Sequence, residues 1–111
     1  MKLAIAQNNT QVHAFFGSCN TFLIVTIEDG KVIATESVFN DTQTHKLRPA
    51  YLKSLGVSAL IIKGLGLTAY ELLNQNGITV YACDPIPVDE ALALYLTQAL
   101  EVMDAPEGAH C

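Results

Sequence analysis

The residues of this sequence best suited to chemistry are three histidines and three cysteines. His13 and Cys19 share one stretch, "VHAFFGSCNTF" at residues 12–22, with Gly17 between them, while His45, Cys83, His110 and Cys111 lie elsewhere. Neutral imidazole and thiolate both ligate iron. The six donors nevertheless lack metal-site spacing, and the absence of a CxxC pair removes the ordinary zinc-ribbon reading. Each also has a plain structural reading: His13 as a solvated loop side chain, Cys19 and Cys83 as small buried residues, Gly17 as a turn residue, and His110 and Cys111 as part of a frayed end. Phe15, Phe16 and Phe22 read as core plugs. A second set is "KGLG" at residues 63–66. Gly64 and Gly66 let the backbone approach a ligand, the amides opening the next helix favour an anion, and Lys63 adds positive charge. The competing reading is a tight strand-to-helix connection whose amides are taken by a capping box of Thr68 and Glu71. The glycine pair has neither the dinucleotide nor the P-loop spacing.

A single domain must position these groups, because 111 residues that are half hydrophobic suffice for one core and not for two. With a formal charge of -5, attraction to nucleic acid or anionic lipid has no electrostatic basis. The opening "MKLAIAQ" is too short for a signal-peptide core, no transmembrane stretch follows, and three widely spaced cysteines fit a reducing cytoplasm. The expectation is thus a cytoplasmic protein without nucleic-acid or membrane partners.

Hydrophobic patterning predicts strands at 2–7, 20–27 and 31–38, the last two joined by a hairpin turn at Asp29 and Gly30. A helix in "LRPAYLKSLG" places Leu47, Tyr51, Leu52 and Leu55 on one face, with Gly56 as a left-handed cap. A strand at 57–62, a helix closed by Gly77, a strand at 78–83 and a helix over 88–103 complete a domain of residues 1–103, with 104–111 as a flexible tail. The last helix would turn Val88, Leu92, Tyr95, Leu96 and Leu100 inward. This order predicts a five-stranded mixed sheet, 3-2-1-4-5, with strand 2 alone antiparallel. Connections from strands 1 and 4 leave in opposite directions, so the crevice at their carboxyl ends is a topological switch point. Residues 7–19, 63–66 and 83–85 would meet there. Strand 3, partly apolar and at an edge, suits a monomer or a weak sheet-extending homodimer.

The segments "MKLAIAQ", "FFGSCNTFLIVTIEDGKV", "LKSLGVSALIIKGLG", "ELLNQNGITVY" and "VDEALALYL", in this order and spacing, resemble the dinitrogenase iron-molybdenum cofactor biosynthesis family, which includes NifX, NafY and the C-terminal part of NifB. The resemblance implies a three-layer α/β/α ribonuclease H-like fold. It also implies a non-catalytic binding or carrier protein for an iron-sulfur or iron-molybdenum cofactor or its precursor, working with cofactor-assembly proteins in a nitrogen-fixation context. Family members commonly show His-Phe-Gly where this chain has Phe15, Phe16 and Gly17. The histidine that the family offers as a cluster ligand is thus absent here, and Cys19 and His13 are the candidates to replace it on the same loop, with Gly17, Lys63, Gly64 and Gly66 around the cofactor and His45, Cys83, His110 and Cys111 as lesser candidates. The alternative is a cofactor-free regulatory or protein-interaction module on the same fold. Nuclease chemistry is set aside, since strand 1 ends in Gln7, Asn8 and Asn9 and offers no carboxylate for a two-metal site.

Overall fold

Leu3, Ala4, Ile5 and Ala6 are all 0% exposed, as only a strand covered on both faces can be. They lie in β1 (Lys2–Asn8), the centre of the sheet in a computed structural model that describes residues 1–16, 19, 21–39 and 48–103. On one side β1 pairs antiparallel with β3 (Thr21–Glu28), and β3 in turn pairs with β4 (Lys31–Phe39). On the other side β1 pairs in parallel with β5 (Val57–Ile62), which pairs in parallel with β6 (Thr79–Ala82). These pairings place β1 between the neighbours expected for it.

The sheet as a whole corrects the five-stranded ribonuclease H-like expectation. Among the described residues it has seven strands, in the order β4-β3-β1-β5-β6-β7, with β2 (Gln11–Val12) paired to β1 off that path. The seventh, β7 (Glu101–Val102), runs antiparallel to β6. Both additions are two residues long, too short for any period-2 pattern to show. The antiparallel β7 also ends the expectation that strand 2 alone would oppose the rest.

Among the described residues, three helices cover the sheet. α1 (Arg48–Ser54) and α2 (Leu67–Gln75) pack Leu52, Ala69 and Leu73 against Ala4, Ala6, Phe22, Ile24, Leu60 and Ile62 on one face. α3 (Val88–Leu96) packs Val88 and Ala91 against Leu3, Ile5, Val25, Ile27 and Ile61 on the other. Alternation along β1, β3, β5 and β6 deals their residues to the two cores in turn.

Local signals account for most boundaries. Asp29 and Gly30 both have positive φ, 53° and 75°, as a two-residue hairpin turn requires. Gly56 at φ 87° and Gly77 at φ 73° follow α1 and α2 as left-handed caps. The last helix is shorter than its sequence pattern suggests. Thr97 folds its hydroxyl back on the Ala93 and Leu94 carbonyls at 3.1 and 3.2 Å, and Gln98 adopts φ 61°, so the chain leaves α3 and enters β7. Leu96 is consequently 38% exposed instead of turned inward. The expected tail and Leu47 lie outside the described residues. No helix among the described residues is long and apolar enough to cross a membrane.

Candidate functional site

The carboxyl ends of β1, β5 and β6 are laced together by main-chain bonds. His13 N–H donates to the Ala6 carbonyl at 2.8 Å, Lys63 N–H to the His13 carbonyl at 3.3 Å, and Phe16 N–H to the Gly64 carbonyl at 3.0 Å. Gly64 sits so close that a Cβ there would lie 3.4 Å from the Ala14 carbonyl oxygen. Cys83 N–H continues the lacing to Ile62 at 3.1 Å, and the Lys63 ammonium reaches the Asp84 carboxylate at 2.8 Å. The three segments expected at the switch point do meet there.

Within this frame the donors differ in surroundings. Cys19 is 0% exposed, and its thiol donates to the Thr21 carbonyl at 3.2 Å. Burial pushes that thiol above its ordinary range, opposed by backbone hydrogen bonds at Thr21 and Gln7 and by the Arg48 charge. His13 is half-buried, and its Nδ1 accepts the Phe15 N–H at 3.0 Å. Desolvation first, and then Arg48, hold it below the usual histidine value, so the imidazole is neutral at pH 7. Arg48 thus acts electrostatically on both donors.

Arg48 is the residue that sequence reasoning missed. It is only 7% exposed, and Nη1 donates to the Phe16 carbonyl at 2.8 Å, fixing α1 to the loop that carries His13 and Cys19. Its one sequence signal was being the sole arginine beside five lysines. Gln7 was overlooked as well. Its side-chain oxygen is buried without a hydrogen-bond partner among the described residues.

The remaining candidates separate. Cys83, 6% exposed, belongs to the core on the α3 face, whereas Cys19 belongs to the core on the opposite face. Lys63 is well exposed, and Asp84 already holds its charge. Gly66 is the N-cap of α2, and no side chain caps that helix: the Thr68–Glu71 box is not formed, because Thr68 lies inside the first turn. Phe16 and Phe22 are core plugs, their ring centroids 6.0 Å apart, but Phe15 is 38% exposed, contrary to expectation. Gly17, His45, His110 and Cys111 lie outside the described residues. Among the described residues no group of three or more His, Cys, Asp or Glu side chains is arranged to hold a metal ion.

An open mixed α/β sheet with a crevice at the carboxyl ends of its central strands is a class of binding fold; relatives narrow it further. The family described as dinitrogenase iron-molybdenum cofactor matches residues 1–98. The chain belongs to that family. It is 32% identical over 106 residues to the uncharacterised protein MJ0580 of Methanocaldococcus jannaschii, spanning 91% of this chain and 90% of that protein. The crystal structure of MJ0327 from the same organism superposes with a TM-score of 0.80 at 28% identity, over 96% of this chain and 97% of the other. The apo form of the orange protein of Desulfovibrio gigas has a TM-score of 0.81 at 19% identity, covering 96% of this chain and 95% of the other, and shares the fold.

Proposed function

We propose that this protein is a non-catalytic carrier for an iron-sulfur or iron-molybdenum type cofactor or its precursor, held at the carboxyl end of β1 by Cys19 and His13. The observation that carries the reading is that both donors lie on the loop leaving β1 and that Arg48, whose Nη1 donates to the Phe16 carbonyl of that loop, acts electrostatically on both. Two donors do not hold a bare ion well, but they suit a preassembled cluster that brings its own sulfides. Burial holds the Cys19 thiol protonated in the free protein, and the Arg48 charge offsets part of that effect, easing the deprotonation that ligation needs. Family membership supports the same cargo class and a role in assembly or transfer alongside cofactor-assembly proteins. Gly64 and Gly66, with Lys63 at the rim, would border the cargo.

One observation favours a cofactor-free interaction module instead. Cys19 is sealed in a core and His13 Nδ1 is engaged by Phe15, so ligation requires the loop to rearrange. Anaerobic reconstitution with ferrous iron and sulfide separates the two readings. The carrier develops sulfide-to-iron charge-transfer absorption, Cys19→Ser loses most of it, and Cys83→Ser retains it. A colourless parent protein supports the module, and equal iron incorporation by Cys19→Ser and the parent refutes the site.

A further inference from the structure

Among the described residues β4 ends the sheet, and eight of its nine residues are exposed, on both faces of the strand. Val32, Ile33 and Phe39 are among the exposed large hydrophobic side chains, Phe39 at 62%. Edges of this kind invite pairing unless charge, proline or a bulge blunts them. The first half is blunted: Lys31 opens the strand, and the register with β3 shifts between Thr26 and Ile27, leaving Ile33 without a partner. The second half, Ala34 to Phe39, is regular and carries one charge, Glu36.

The direction of its free main-chain groups follows from β3. Ile27 N–H donates to the Met1 carbonyl at 2.8 Å, so the odd residues of β3 turn their main-chain groups toward β1. The even ones, Phe22, Ile24 and Thr26, turn theirs to β4, where they face Val38, Glu36 and Ala34. Thr35, Ser37 and Phe39 therefore aim their N–H and C=O groups away from the sheet.

We propose that this edge pairs with β4 of a second copy, antiparallel, about a two-fold axis at Ser37. Self-pairing that uses the outward row can centre on Thr35, Glu36, Ser37 or Val38, and centring on Val38 engages only residues 37–39 of the strand. Centring on Glu36 sets two carboxylates directly opposite each other, which is destabilising. Centring on Thr35 brings Ser37 of one copy onto the unpaired Ile33 of the other, where the alternation breaks. Centring on Ser37 sets Glu36 opposite Val38 and Thr35 opposite Phe39, an aromatic against a β-branched side chain, with no like charges facing. The contact is only five residues per copy, well short of a standard interface, so the dimer is weak and concentration-dependent.

Sedimentation velocity over a rising protein concentration tests it. The expected result is a reversible shift from monomer to dimer in the parent and a monomer at every concentration in Ser37→Pro. That substitution removes an N–H pointing to solvent, which an edge strand tolerates. Amide hydrogen exchange on the parent gives a check that needs no variant: Thr35, Ser37 and Phe39 gain protection as concentration rises while the rest of the sheet is unchanged. A parent that stays monomeric overturns the proposal, as does dimerisation of a folded Ser37→Pro to the same degree. Tenfold tighter dimerisation of Glu36→Gln would place the axis at Glu36 and overturn the register.

Discussion

The proton on His13 has a definite place. Because Nδ1 accepts the Phe15 N–H, the neutral ring carries its hydrogen on Nε2, and protonation would sacrifice that bond as well as bring a second cation near Arg48. A histidine whose folded value is lowered binds fewer protons folded than unfolded, so its contribution to stability is present above about pH 6.5 and is lost as pH falls through the lower folded value. Titration of the His13 ring by NMR should give a midpoint below 6.5 that rises in Arg48→Met. Arg48→Met should also cost about 1.5–3 kcal/mol in urea unfolding, the worth of a charge-assisted bond such as that to the Phe16 carbonyl. Cys19 has the opposite linkage. Its raised folded value means that the native state keeps a proton the unfolded chain releases, so stability declines as pH rises above about 8.5. Cys19→Ser should flatten that alkaline decline in melting curves, and an unchanged slope would assign it to the other groups that burial raises, Cys83 and Tyr95. Cys19 and His13 were visible from residue type alone. Arg48 was hidden because its importance lies in burial against a carbonyl 32 positions earlier, which no local pattern reports.

Elements announce themselves in sequence in proportion to how much of their pattern they contain. The hairpin of β3 and β4 was legible because two long apolar runs flank Asp29 and Gly30, and the conformation of those two residues is dictated sterically. Gly30→Ala should cost about 1 kcal/mol, since alanine at φ 75° meets the left-handed penalty although nothing crowds its Cβ. A melting temperature equal to the parent's would show that the turn relaxes. Helix starts and stops read less well. The Thr68–Glu71 spacing matched a capping box, yet α2 begins two residues earlier than that box would place it, at a glycine cap. The pattern over residues 88–103 predicts a helix to its end because hydrophobicity continues past Leu96, where α3 stops. What ends α3 is the left-handed Gln98, a conformational choice made when the chain turns to lay β7 beside β6.

Across the whole molecule the strands fall into a gradient of protection. β1 and β5 are covered on both faces and flanked on both edges, β4 is open on both faces, and β7 is two residues long. Native-state hydrogen exchange should therefore be slowest at Leu3 to Ile5 and Ala59 to Ile61 and much faster along β4 and β7. Comparable rates in β4 and β5 at low concentration would contradict the order. Leu60→Ala, emptying a fully buried position beneath α1 and α2, should cost about 2–5 kcal/mol in denaturant unfolding. The neighbour relations of β1 could be reasoned from connection rules, because long strands and crossovers obey them. The strand count could not, because β2 and β7 form only where tertiary contacts supply partners for their few main-chain groups. The same sheet also partitions the cysteines, Cys19 in the core under α1 and α2 and Cys83 in the core under α3. A folded molecule under oxidative stress has no route to an internal bond between those two sulfurs, since a close-packed sheet stands between them and a disulfide needs their Cβ atoms about 4 Å apart. Of these two cysteines, each would therefore be oxidised independently of the other, on its own side of the sheet.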